Sequence, residues 1–191
     1  MILSDWVKEF FLPLKWVASN ACELLFNFVS VKRYILLDGY NIIYASDALK
    51  HLMPNNKSRA RETLAEMVQS IHSVEDVHII IVFDSSKKVI EVEYPFRDKT
   101  FEFVFAPKSL TADGVIERIL VRIKNKEQVS VVSNDNLVRE ATRSNGAAAL
   151  RPQDLFDWIK SSNKRLGEIR NIHSSTDSKP LENRINIDLD S

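Results

Sequence analysis

Hydrophobic and polar positions follow two rhythms along this chain. In residues 1–30, MILSDWVKEFFLPLKWVASNACELLFNFVS, polar side chains recur at Ser4/Asp5, Lys8/Glu9, Lys15, Ser19/Asn20, Glu23, Asn27 and Ser30. That is a helical period with a wide face of Trp, Phe and Leu, so an amphipathic helix is expected over 1–31, kinked at Pro13. A signal peptide would open on basic residues and continue through an unbroken apolar stretch. A spanning helix would place Lys15 and Glu23 in lipid at about 2.5–3.5 kcal/mol each. Two readings of the segment stay open: a helix packed on the rest of the chain or on a second copy in a homodimer, or a peripheral membrane helix. With only two lysines in the segment, membrane attachment would rest on its apolar face.

From residue 34 the rhythm changes to short, wholly apolar runs separated by helical patterns. YILL (34–37), VHIIIVF (77–83), FEFVFA (101–106) and QVSVVS (128–133) read as buried strands, and AAALR after Gly146 as a short last one. Between them, 58–72 reads as an amphipathic helix with Ser58 at its N-cap, and 110–125 and 134–146 as two more, the latter closed by Gly146. A further helix starts at Pro152. Such alternation predicts an α/β sandwich with a central, mostly parallel sheet covered on both faces. Periodicity fades after residue 161, so 162–191 is expected to be a flexible tail.

Composition narrows the partners. Lys plus Arg and Asp plus Glu number 26 each, so any polyanion must be held by a local patch. The one cysteine, Cys22, and four scattered histidines leave no disulfide framework and no Cys-based zinc site, and make a reducing cytosol the expected compartment.

The chemistry lies at the strand ends. In an open parallel sheet, ligands bind beyond the carboxyl ends of the strands. Asp38 follows YILL, Asp84 follows IIIVF and Asp135 follows SVVSN, while Asp113 opens the helix after the third strand with Glu117 one turn further on. Two like charges about 4 Å apart repel by roughly 4 kcal/mol at an effective dielectric near 20, so such a cluster must hold protons or a cation. Hard oxygen donors without His or Cys select Mg²⁺ or Mn²⁺, and ions held this way can acidify water and steady a phosphodiester displacement. Plainer uses compete for each acid: Asp84 as a cap or turn former, Asp135 as the cap of its own helix, Asp113 as a complement to the helix dipole, Glu117 as a solvated position or a partner of Arg118 or Arg122. For Asp38 the plain use is weaker, because Gly39 allows close backbone approach and Asn41 adds an amide at the same edge.

Other phosphate chemistries lack their parts. No G-x-x-x-x-G-K-[ST] or G-x-G-x-x-G occurs, and the chain has four glycines in all. An aspartyl phosphotransferase would need a second Asp where Tyr40 stands. A receiver-like switch on Asp84, with Lys108 as its charge-sensing lysine, stays open as a minor alternative.

LLDGYNII, IIIVFDSS, TADGVIERI, VVSNDNLVRE and GAAALRPQDLF, in unbroken order over residues 34–160, resemble the successive motifs of the YacP-like NYN domains, a branch of the PIN-like metal-dependent ribonucleases. The resemblance implies a PIN-like (NYN) three-layer α/β sandwich over 32–161. It also implies an acidic site for Mg²⁺ or Mn²⁺ and endonucleolytic cleavage of RNA that leaves a 5′ phosphate and a 3′ hydroxyl. Some bacterial members are similar to ribosome-associated factors that cut messenger RNA during translation. By motif, the family's acids fall on Asp38, Asp84, Asp113 and Asp135, with Asn41 and Glu117 in support. Asp38, Asp113, Asp135 and Glu117 are the expected metal ligands.

For the substrate, the candidate cations are Arg59 and Arg61, Lys87 and Lys88, and Arg139 and Arg143. Tyr40 and Tyr44 could stack on unpaired bases, which favours single-stranded RNA. Each cation has solvation as its plain use, and Tyr44 has packing. The sequence departs from the family at FDSS, where an alanine and a histidine are expected after the aspartate, and at KKVIEVEYPFRDKTF. Two other classes remain: a catalytically weak module that binds RNA or the ribosome, and an interaction protein docked to a membrane or partner through residues 1–30.

Overall fold

The computed structural model describes residues 33–176. The amphipathic helix expected over 1–31, with its homodimer and membrane readings, lies outside the described residues, as does 177–191. Among the described residues no helix is long and apolar enough to cross a membrane.

The chain runs β1 (Arg33–Asp38), α1 (Gly39–Tyr44), α2 (Asp47–Lys50), α3 (Lys57–Val74), β2 (Val77–Asp84), β3 (Glu91–Glu93), β4 (Phe101–Ala106), α4 (Ala112–Arg122), β5 (Val129–Val132), α5 (Asn136–Ser144), β6 (Ala148–Leu150) and α6 (Pro152–Thr176). The six strands form one sheet in the order β3-β4-β2-β1-β5-β6, parallel except for β3 at one edge. β1 sits centrally, paired with β2 on one side and β5 on the other. Strand order therefore reverses between β1 and β5, which makes that crevice the switch point of the sheet.

Both faces are apolar because both are covered. Ile35 and Leu37 of β1 join Ile79, Ile81 and Phe83 of β2 in a core with Leu64, Val68 and Ile71 of α3 and Leu155 and Ile159 of α6. The alternate positions Leu36, Ile80 and Val82 pack with Val115, Ile116, Ile119 and Leu120 of α4. This period of two has a consequence at the strand ends. Asp38 and Asp84 continue the series of Leu36 and of Ile80 and Val82, so both carboxylates emerge on the α4 side.

Three local expectations change. Asn56, not Ser58, caps α3, its Oδ1 accepting from Arg59 N at 3.0 Å. The helix begins at Lys57, so Ser58 falls within the first turn and its Oγ accepts from Arg61 instead. The tail expected from residue 162 is helical as far as Thr176. No proline interrupts it, Ser162 is buried, and Arg165 reaches Glu75 at 3.3 Å just after α3. That carboxylate also accepts from Arg33 at the start of β1 and from Trp158 of α6 at 2.7 and 2.8 Å, tying three elements together. The third change is an addition: α1, α2 and the edge strand β3 were not foreseen. Gly146, as expected, closes α5 with φ +82°.

Candidate active site

Asp38 ends the central strand and is 3% exposed. A carboxylate so buried needs donors. Its Oδ1 accepts the Asn41 backbone N–H at 3.4 Å, capping α1, and its Oδ2 accepts the Asn41 amide and, at 3.0 Å, the hydroxyl of Ser133. Burial raises its pKa above the ordinary carboxylate value, the Asn41 and Ser133 hydrogen bonds pull it back, and the charge of Asp84 adds to the rise.

Asp113 lies in the first turn of α4, behind the Thr111 cap. The residue as a whole is exposed, but its carboxyl lies close enough to Asp38 to feel its charge. Its pKa is pushed up to about 6, first by desolvation, then by the charges of Asp38, Asp135 and Asp84. A raised pKa is the response expected of crowded carboxylates without a cation. Asp84 and Asp135 complete the acidic edge while serving helices: Asp84 Oδ1 accepts Ala112 N at 2.8 Å at the start of α4, and Asp135 Oδ1 accepts Leu137 N at 2.7 Å to cap α5. Three helix N-termini thus point at the cluster, and their positive dipole ends offset part of its charge.

Glu117 is placed differently. It is not among the charges that raise Asp113. Together with Asp113 and Asp135 it lines a groove of about 200 Å³ between α4 and α5.

The expected cations divide. Arg139 is 7% exposed, its Nη1 donating to Ser133 O at 3.0 Å and its Nη2 to Asn136. It braces the loop that carries Ser133 and Asp135 and does not face solvent, because the turn after β5 buries its guanidinium against that loop's own carbonyl. Arg143 is exposed. Arg59 pairs with Glu62 and Glu66 on its own helix at 3.7 and 3.1 Å, and Lys87 pairs with Glu91. Lys88 is exposed in the turn after Asp84. Arg61 lies 5.0 Å above the Phe105 ring and 5.8 Å above Phe83. The half-buried Tyr40 packs edge-on against Phe83 at 5.2 Å, and Tyr44 is exposed.

Sequence reasoning missed Ser133, which is fully buried between Asp38 and Asp135, its Oγ also accepting Asp135 N at 3.0 Å. The available signal was a serine directly after an apolar strand and two positions before an acid.

Among the described residues no three His, Cys, Asp or Glu side chains converge as a closed cage would require. An oxygen-only pair with polar neighbours nevertheless fits Mg²⁺ or Mn²⁺. Mg²⁺ keeps several waters and is ordinarily held by one or two carboxylates, and an ion held by Asp38 and Asp113 would relieve the repulsion that raises Asp113.

A mostly parallel sandwich with carboxylates gathered at its switch point defines the PIN-like nuclease class. The YacP-like NYN domain pattern matches residues 35–190, and the chain belongs to that family. The match extends through the segment expected to be a tail. The YacP protein of Bacillus subtilis (strain 168) is 28% identical over 147 residues, covering 76% of this chain and 85% of that one. The crystal structure of Rae1 (YacP) from Bacillus subtilis superposes with a TM-score of 0.62 at 27% identity, covering 75% of this chain and 83% of the other. A tryptophan-to-leucine variant of that protein gives 0.61 at 26%, covering 74% and 84%. The family makes the chain nuclease-like, of a generally metal-dependent kind, with RNA as the implied substrate.

Proposed function

We propose that this chain is an endoribonuclease that uses Mg²⁺ or Mn²⁺ to hydrolyse phosphodiester bonds in single-stranded RNA, with translated messenger RNA at the ribosome as its physiological substrate. The observation that carries the reading is the gathering of Asp38, Asp84, Asp113 and Asp135 at the switch point, close enough for the other three charges to raise Asp113. Asp38 and Asp113 would hold the ion, with Asp135 and Asp84 toward its water shell. When bound, the ion supplies an acidified water and positive charge at the phosphorus.

The chain's own residues set the conditions. Asn41 and Ser133 fix the Asp38 carboxylate. Asp113 must give up its proton before the pair can take a divalent ion, so the site becomes competent as pH rises through about 6. Lys88, exposed four residues after Asp84, is a cation that could offset substrate charge. The ribosome as the place of action is supported by the family resemblance.

Cleavage of an end-labelled single-stranded RNA in Mn²⁺ tests the reading. Wild type cuts, and EDTA or Asp38→Asn stops it. RNA left intact by wild type both free and on translating ribosomes would overturn it.

A further inference from the structure

The groove between α4 and α5 is lined on its floor by Ile116, Leu120 and Val138 and walled by Asp113, Glu117 and Asp135, with Leu137 at its lip. Its volume, about 200 Å³, is below the roughly 300 Å³ where sites for drug-sized ligands begin, so it admits one flat ring system rather than a chain. Leu137 is 75% exposed, two residues after Asp135. A solitary exposed leucine is ordinary; one standing at the mouth of an apolar slot beside a carboxylate edge presents a surface for stacking.

The rim selects the kind of ring. All the charged groups of the lining are carboxylates, which excludes an anionic occupant. The Thr142 hydroxyl donates to Val138 O at 2.7 Å, leaving only acceptor capacity toward the groove. An occupant must therefore combine apolar faces with N–H donors on its edge, as an unpaired nucleobase does. Guanine alone offers two adjacent donors, N1–H and the N2 amine, on its Watson–Crick edge, which matches a carboxylate accepting through both oxygens. Uracil carries its single N3–H between two carbonyl oxygens that Glu117 would repel, while adenine and cytosine offer one amine beside an acceptor nitrogen.

We infer that this groove is a base-recognition subsite for one unpaired guanine of the RNA, with Glu117 as the specificity-determining residue and Leu137 as the stacking surface. The inference rests on the nuclease reading only for the identity of the polymer. Asp113 and Asp135 belong both to the groove and to the carboxylate edge, so the recognised base flanks the scissile phosphate.

The test uses the full chain carrying Asp38→Asn and four uridine octamers: one all-uridine, the others with a single central guanosine, adenosine or cytidine. Affinities are read by fluorescence anisotropy. The guanosine octamer binds about tenfold tighter than all-uridine, in line with the discrimination of a bidentate contact. Adding Glu117→Gln brings it to the all-uridine value, and Leu137→Ser weakens the guanosine octamer more than the all-uridine one. Equal affinity for the four, no binding of any, or a guanosine preference that survives Glu117→Gln overturns the subsite. Hydrolysis is read separately with wild type in Mn²⁺: RNA uncut both free and on translating ribosomes, beside intact guanosine selection, removes the nuclease reading and keeps the subsite.

Discussion

The hydroxyl of Ser133 donates to Asp38 Oδ2 at 3.0 Å across 95 residues of sequence, and the same oxygen accepts the Asp135 backbone N–H at 3.0 Å. One small buried side chain thus sets the spacing between the acid that ends β1 and the acid that caps α5. Ser133→Ala leaves a buried carboxylate short of a donor, a loss of about 1.5–3 kcal/mol for a hydrogen bond to a charged group. Urea unfolding near neutral pH is expected to show that loss, with weaker Mn²⁺ binding by calorimetry. An unchanged midpoint would mean the serine does not hold Asp38.

Asp113 gives a pH signature. A carboxyl raised from 3.8 to about 6 binds its proton more tightly in the folded chain than in the unfolded one. The folded state then carries more protons between those values, so this group's contribution to stability is present at low pH and is lost as pH rises through about 6. Because Asp113 is exposed, screening keeps the loss small. With EDTA present, Asp113→Asn should melt at or above the wild-type temperature above pH 6, and match it near the unfolded value of 3.8. Mn²⁺ should reverse the order, raising wild-type stability by about 2.7 kcal/mol at a hundredfold excess over Kd and leaving the variant unmoved. A variant stabilised equally by Mn²⁺ would place the ion elsewhere.

Arg139 and Arg143 stand one helical turn apart and should behave oppositely. Arg139→Ala removes the donor to Ser133 O and opens space under the loop, costing about 2–3 kcal/mol, whereas Arg143→Ala on the exposed face should stay within about 0.5 kcal/mol. Denaturant midpoints of the two variants check this, and a neutral Arg139→Ala would count against the bracing role.

Gly39 joins β1 to α1 directly under Phe83. A Cβ there would lie 2.2 Å from Phe83 Cε1. That ring is fully buried against Phe103 and Phe105, with Tyr40 on its edge, so it has nowhere to go. Gly39→Ala should therefore cost about 1–3 kcal/mol through overpacking and displace the adjacent Asp38. Thermal melting and Mn²⁺ titration together would show it, and a variant normal in both would mean the junction relaxes freely.

Much of this was legible from pattern alone. Strands such as VHIIIVF, apolar at every position but His78, could only be covered on both faces, and that placed their terminal acids at one edge. What the pattern concealed was set by tertiary contact. Arg139 reads as a surface cation because nothing local reveals that the turn after β5 folds a carbonyl over its guanidinium. Glu117 reads as a ligand because i+4 spacing puts it on the face of Asp113, but the groove it lines with Asp113 and Asp135 forms only where α4 meets α5, which no local pattern reveals. Residues 162–176 lack a clear apolar stripe and stay helical with Ser162 buried and Arg165 tied to Glu75 at the end of α3. The short α1 and α2 fell below the length at which periodicity speaks.

Two acids of the edge, Asp38 and Asp135, are also the caps of their helices, and this ties inheritance of the fold to inheritance of the chemistry. Asn caps a helix about as well as Asp but brings no charge to an ion. A lineage released from catalysis would therefore drift first to Asn at 38 or 135, keeping its helices while shedding its metal. Asparagine at those positions in a relative would be the mark of a domain that still folds and no longer cuts, whereas alanine there would signal that the helix ends themselves have been rebuilt.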